Sequence, residues 1–110
     1  MNPIRSQTEA PRDVQHVGAA GPYELEVLVR VLGSGSLEIE GQVTRARSVH
    51  EPIVGLPVVL FDADALVSTT QGRTNALGEF DMVGQPDTRY FIALGEAQDA
   101  PCMLIWEGKL

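Results

Sequence analysis

The chain has 110 residues, 44% hydrophobic and 21% charged, with fifteen acidic against eight basic side chains and a formal charge of −7. That length gives one domain, and the composition is too apolar for general disorder. An acidic balance of this size repels phosphate backbones and anionic lipid, which argues against nucleic-acid and membrane-surface partners. The imbalance is uneven, because residues 1–34 carry a net −1 and residues 35–110 a net −6.

The lone cysteine, Cys102, has no intrachain partner for a disulfide. It opens the apolar run Cys102-Met103-Leu104-Ile105-Trp106 and is expected as a buried small hydrophobe. Met1-Asn2-Pro3-Ile4-Arg5 lacks a secretory apolar core, and no apolar run approaches the ~20 residues of a spanning helix. The expected location is cytoplasmic, although a domain cut from a larger secreted protein would read the same way.

Residues 1–21 mix Pro, Arg, Asp, Gln, Gly and Ala without period and are expected as a flexible leader, with the folded domain over 22–110. From Tyr23 to Leu32, Tyr23, Leu25, Val27, Val29 and Val31 share one strand face. A helix stripe fits part of the same stretch, and the valines decide for a strand. Gly33-Ser34-Gly35 turns the chain. Ser36 to Thr44 then alternates, Leu37, Ile39 and Val43 inward against Glu38, Glu40, Gln42 and Thr44 outward. Arg45 and Arg47 break that parity, so a bulge or strand end is expected near Ala46. A loop over 48–55 leads into a strand through Val58, Val59, Leu60 and Phe61.

Asp62-Ala63-Asp64 forms the next break, and Leu66 to Arg73 is a further strand. Asn75-Ala76-Leu77-Gly78 has Asn first and Gly last, as a type I turn prefers, and closes a hairpin onto Glu79 to Val83. Thr88 to Leu94 sends Tyr90, Ile92 and Leu94 to one side and Phe91 and Ala93 to the other. Cys102 to Glu107 makes the last strand. Seven short strands without a helix predict an all-β, seven-stranded antiparallel Greek-key β-sandwich.

Taken together, Gly41-Gln42-Val43, Pro52-Ile53-Val54-Gly55, Val58-Val59-Leu60 and Thr74-Asn75-Ala76-Leu77-Gly78-Glu79-Phe80 resemble the carboxypeptidase regulatory-like domains. These are transthyretin-like, prealbumin-type sandwiches that occur as non-catalytic modules. The resemblance covers about residues 36 to 95. It implies a crossing loop at the Pro-Gly segment and a Phe80 side chain dropped into the core. The chain departs from that pattern before Tyr90, where Thr88-Arg89 stands in place of a glycine.

Candidate sites follow. His16 and His50 with Tyr23 and Tyr90 would suggest the iron site of intradiol dioxygenases, but the histidines are 34 residues apart and no metal or other cofactor is expected. Hydroxyisourate hydrolases of similar fold carry a Tyr-Arg-Gly-Ser tail, whereas this chain reads Trp106-Glu107-Gly108-Lys109-Leu110. Lys109, the one lysine, is misplaced for a self-crosslinking adhesin. Asp62 and Asp64, with Asp81 or Glu79, could hold Ca²⁺ or simply form turns. Ser68-Thr69-Thr70 offers hydroxyls without a base.

Unpaired sheet edges remain. Leu28 and Leu32 fall on the polar face of their strand, and Trp106 sits in the richest apolar run. The expectation is therefore a non-catalytic module that binds a protein partner, or a second copy, through a sheet edge, with Leu28, Arg30, Leu32 and Trp106 as its contacts. A carbohydrate-binding sandwich is the alternative, although it needs exposed aromatics and the chain has only six aromatic residues, mostly placed inward. A hydroxyisourate hydrolase-like enzyme comes third.

Overall fold

The computed structural model describes residues 13–47 and 51–108, which form eight strands and no helix. These are β1 (Asp13–Ala20), β2 (Tyr23–Val31), β3 (Leu37–Arg45), β4 (Pro57–Asp62), β5 (Val67–Arg73), β6 (Glu79–Gly84), β7 (Arg89–Leu94) and β8 (Cys102–Glu107). They make two antiparallel four-stranded sheets, ordered β1-β2-β3-β6 and β5-β4-β7-β8, around one shared core. That is the arrangement of a β-sandwich. At one side β1 and β2 meet β8, and at the other β5 meets β6.

The core follows the alternation read in the sequence. Leu25, Val27 and Val29 of β2, Leu37, Ile39 and Val43 of β3, and Leu60 and Ile92 of the facing sheet are almost fully buried. Each such side chain contributes ~1.5–3 kcal/mol by leaving water. Phe80 lies against Gly41, its register partner on β3, where an added Cβ would run into the ring. Tyr90 covers Gly84 in the same manner, and its hydroxyl accepts the Gln85 N–H at 2.9 Å.

Two loops lock the sheets in register. Asn75 Oδ1 accepts the Leu77 and Glu79 N–H groups, and the Gly78 N–H closes the turn on the Asn75 carbonyl. Gly78 has φ +74° and would press a Cβ onto the Val43 carbonyl oxygen, so the turn requires glycine. The Pro52–Pro57 crossing is held by Thr74, which is 4% exposed. Its hydroxyl donates to the Ile53 carbonyl at 2.6 Å and accepts the Leu56 N–H at 2.9 Å.

The strand count is eight rather than seven, because Asp13–Ala20, expected within a flexible leader, forms β1. Of its inward positions, Val14, His16, Gly18 and Ala20, only Val14 is a large apolar side chain, and its one large apolar outward residue, Val17, is 69% exposed. A period-2 search for apolar side chains therefore finds no inner face. The missed signal was Gly21-Pro22. Gly21 has φ +61°, as the first central residue of a two-residue II′ hairpin requires, and Pro22 suits the second position.

Two further corrections concern the last strand and its neighbours. Cys102, expected buried, is exposed, since its register partner Ala93 lies on the outer face of the sheet. Trp106, expected at an open edge, is 5% exposed, and its indole Nε1 donates to the Pro86 carbonyl at 2.8 Å. The ladder between β7 and β8 slips between Tyr90 and Phe91, so the consecutive residues Ile105 and Trp106 both turn inward.

Candidate functional site

Because β1 covers it, β2 is an interior strand, and the residues expected to form an edge lie elsewhere. Leu28 is half-buried on the outer face of the first sheet, between Gln15 and Glu40. Arg30 is spanned by Glu38 at 2.7 Å and Asp13 at 3.6 Å. Leu32 follows the strand, its N–H bonded to the Ser36 carbonyl. Leu28, Arg30 and Leu32 thus neighbour one another on the first sheet, while Trp106 points into the core from the second.

Around Leu28 the outer face of the first sheet is acidic. β1 and β2 contribute Asp13, Glu24 and Glu26, β3 adds Glu38 and Glu40, β6 adds Glu79 and Asp81, and Arg30 is the one base among them. Glu40 and Asp81 stand directly opposite across the β3–β6 ladder, a repulsive pairing. These carboxylates are well solvated, and they carry most of the chain's net charge.

The second sheet presents the opposite character. Its outer face is floored by Val59 and Phe61 of β4 and Phe91 and Ala93 of β7, with Phe61 and Phe91 in register. The 62–66 turn walls one end and residues 95–100 wall the other, leaving a groove of about 540 Å³. That is within the size range of small-molecule pockets. Ala63, Ala97, Ala100 and Cys102 extend the apolar lining, Ser68, Gln71 and Gln98 add polar groups, Asp62 and Glu96 are its charged members, and no basic residue lines it.

Leu66 stands on the rim, 77% exposed and with φ +59°. A leucine in left-handed backbone costs about 1 kcal/mol, and exposing its side chain forfeits burial as well. Val67 beside it is 53% exposed. Sequence reasoning missed this face because Phe61 and Phe91, one on each of two separate strands, read as ordinary core alternation. Only the β4–β7 register brings them together.

Asp62 and Asp64 act as turn formers. Asp62 Oδ1 accepts the Asp64 and Ala65 N–H groups, and Asp64 pairs with Arg89 at 3.3 Å. Asp81 and Glu79 lie on the other sheet, and among the described residues no group of three His, Cys, Asp or Glu side chains gathers to hold a metal. His16 faces inward from β1, with Nε2 buried and unpartnered, while His50 lies outside the described residues. Ser68, Thr69 and Thr70 belong to β5, at the opposite side of the sandwich from β1, and Thr69 Oγ1 donates to the Leu60 carbonyl. No helix among the described residues is long and apolar enough to cross a membrane. Compared with models of known protein families, with curated proteins and with solved structures, the chain matches none.

Proposed function

We propose that this chain is a non-catalytic β-sandwich module that works by binding a protein partner across the outer face of the β5-β4-β7-β8 sheet. The observation that carries the reading is the contrast between the two outer faces. Both carry a groove, but the one of about 570 Å³ on the first sheet is lined by Glu26, Glu40, Glu79 and Asp81, whereas the one of about 540 Å³ on the second is floored by paired phenylalanines with a strained, exposed leucine on its rim. Exposed apolar patches flanked by polar residues mark interaction sites. Asp62 and Glu96 on the lining favour a partner segment that carries basic residues beside its apolar ones.

The same reading assigns the chain to the transthyretin-like sandwiches of carboxypeptidase regulatory-like type, with Greek-key connections. Support comes from the Pro52–Pro57 crossing and the Asn75–Gly78 turn, whose hydrogen bonds suit that role. The single cysteine suits a cytoplasmic setting. A carbohydrate platform is the weaker alternative, because Trp106 and Tyr90 are turned inward and Tyr23 packs against the core.

Photo-crosslinking in the native host tests the proposal. A photoreactive residue at Leu66 is expected to trap one discrete protein adduct, and the same residue at Glu40 on the acidic face none. Adducts of equal yield from both positions, or none from position 66, would contradict it.

A further inference from the structure

The sandwich has four edge strands, and three of them are blunted. The ladders of β5 and β8 with their neighbours each contain a register shift, which bends an edge away from pairing. β6 is short and carries Glu79 and Asp81. β1 is different. All eight of its residues pair in register with β2, and from Val14 to Ala20 it holds no formal charge, proline or lysine. Among the described residues nothing pairs with its other side.

We propose that β1 is a self-pairing edge: two copies of this chain join β1 to β1 in antiparallel register centred on Val17, fusing their first sheets into one eight-stranded sheet. This surface lies on the opposite sheet from the apolar groove and is independent of the function proposed for it.

Centring on Val17 pairs the whole uncharged stretch with itself. On the outer face Val17, 69% exposed in one copy, meets Val17, and Gln15 meets Ala19. On the inner face His16 meets Gly18 and Val14 meets Ala20, a large side chain opposite a small one each time. Moving the centre to His16 would set the two imidazoles against each other and leave Val17 opposite Gln15.

The acidic face does not oppose this pairing. The nearest acids, Glu24 and Glu26, lie one strand inward on β2, so Glu26 and its counterpart stand three strand spacings apart, ~14 Å. That exceeds the ~8 Å screening length at physiological salt. The only acid on β1 is Asp13, at its far end and paired with Arg30.

Sedimentation of the full chain across micromolar to submillimolar concentrations is expected to show a monomer–dimer equilibrium. Val17→Lys puts two cations opposite each other at an exposed position and is expected to raise the dissociation constant by ~10-fold or more, while Val17→Thr preserves it. In a Cys102→Ser background, Val17→Cys is expected to form an interchain disulfide on mild oxidation, because opposed Cα atoms ~4.5–5.5 Å apart are within reach. Val83→Cys on β6 is not. A chain that stays monomeric throughout, a dimer indifferent to Val17→Lys, or cross-linking at 83 instead of 17 would overturn the proposal.

Discussion

Thr74 illustrates how one hydroxyl positions the molecule. It is the sole buried polar residue among those described, and it joins the Pro52–Pro57 crossing at two points. Thr74→Val keeps the shape but strands the Leu56 N–H and the Ile53 carbonyl. A loss of ~1–3 kcal/mol is expected in denaturant unfolding, with an unchanged slope. Gly41→Ala acts by a different route, forcing the Phe80 ring out of its place. A similar ~1–3 kcal/mol destabilisation follows, partly recovered by adding Phe80→Leu, and the double-mutant cycle reads that coupling. Leu66 presents the reverse case. Leu66→Gly relieves left-handed strain and is expected to raise stability by ~0.5–1 kcal/mol, while removing the rim of the groove and weakening partner capture. Lost stability together with retained capture would show that Leu66 serves the fold instead.

At the scale of elements, β2, β3, β4, β6 and β7 were legible because their inward positions hold mostly Leu, Ile, Val, Met, Phe and Tyr at period two, whereas β5, almost wholly exposed, was read from its Val, Ser and Thr content. The Asn75–Gly78 turn was legible because the bonds that shape it are local, Asn75 Oδ1 accepting the Leu77 and Glu79 N–H groups and the Asn75 carbonyl the Gly78 N–H, although β3 also donates to the Leu77 and Gly78 carbonyls. β1 was not legible from its side chains, since an edge strand with half-buried His16 and Gly18 has little apolar contrast. The orientation of β8 was hidden for another reason. Its register shift changes parity between Leu104 and Trp106, and a shift depends on the partner strand. The site residues shared this limit: Leu28 was correctly singled out as an apolar side chain on a polar face, but the strand lying beside it was invisible. The β3–β6 ladder yields a test of the register. Glu40→Lys exchanges the repulsion with Asp81 for attraction and is expected to raise the melting temperature, an effect that fades toward ~1 M salt, where screening acts over ~3 Å. A shift in the opposite direction would mean that the two side chains are not opposed.

Over the whole molecule, the segregation of charge is the organising feature. The net charge of −7 is uneven along the chain and uneven across the fold as well: Asp13, Glu24, Glu26, Glu38, Glu40, Glu79 and Asp81 all belong to the first sheet, while the groove on the outer face of the second sheet is lined mainly by apolar residues. Strand parity decides this division, and Cys102 reports on it directly, because the thiol is placed outward beside Ala93 at the margin of the groove. The rate of Cys102 alkylation in the native protein is therefore the most direct measurement. An open face predicts a rate within ~10-fold of that in the denatured chain, as expected of an accessible thiol. Protection by several orders of magnitude, relieved only on unfolding, would place Cys102 inside and contradict the account.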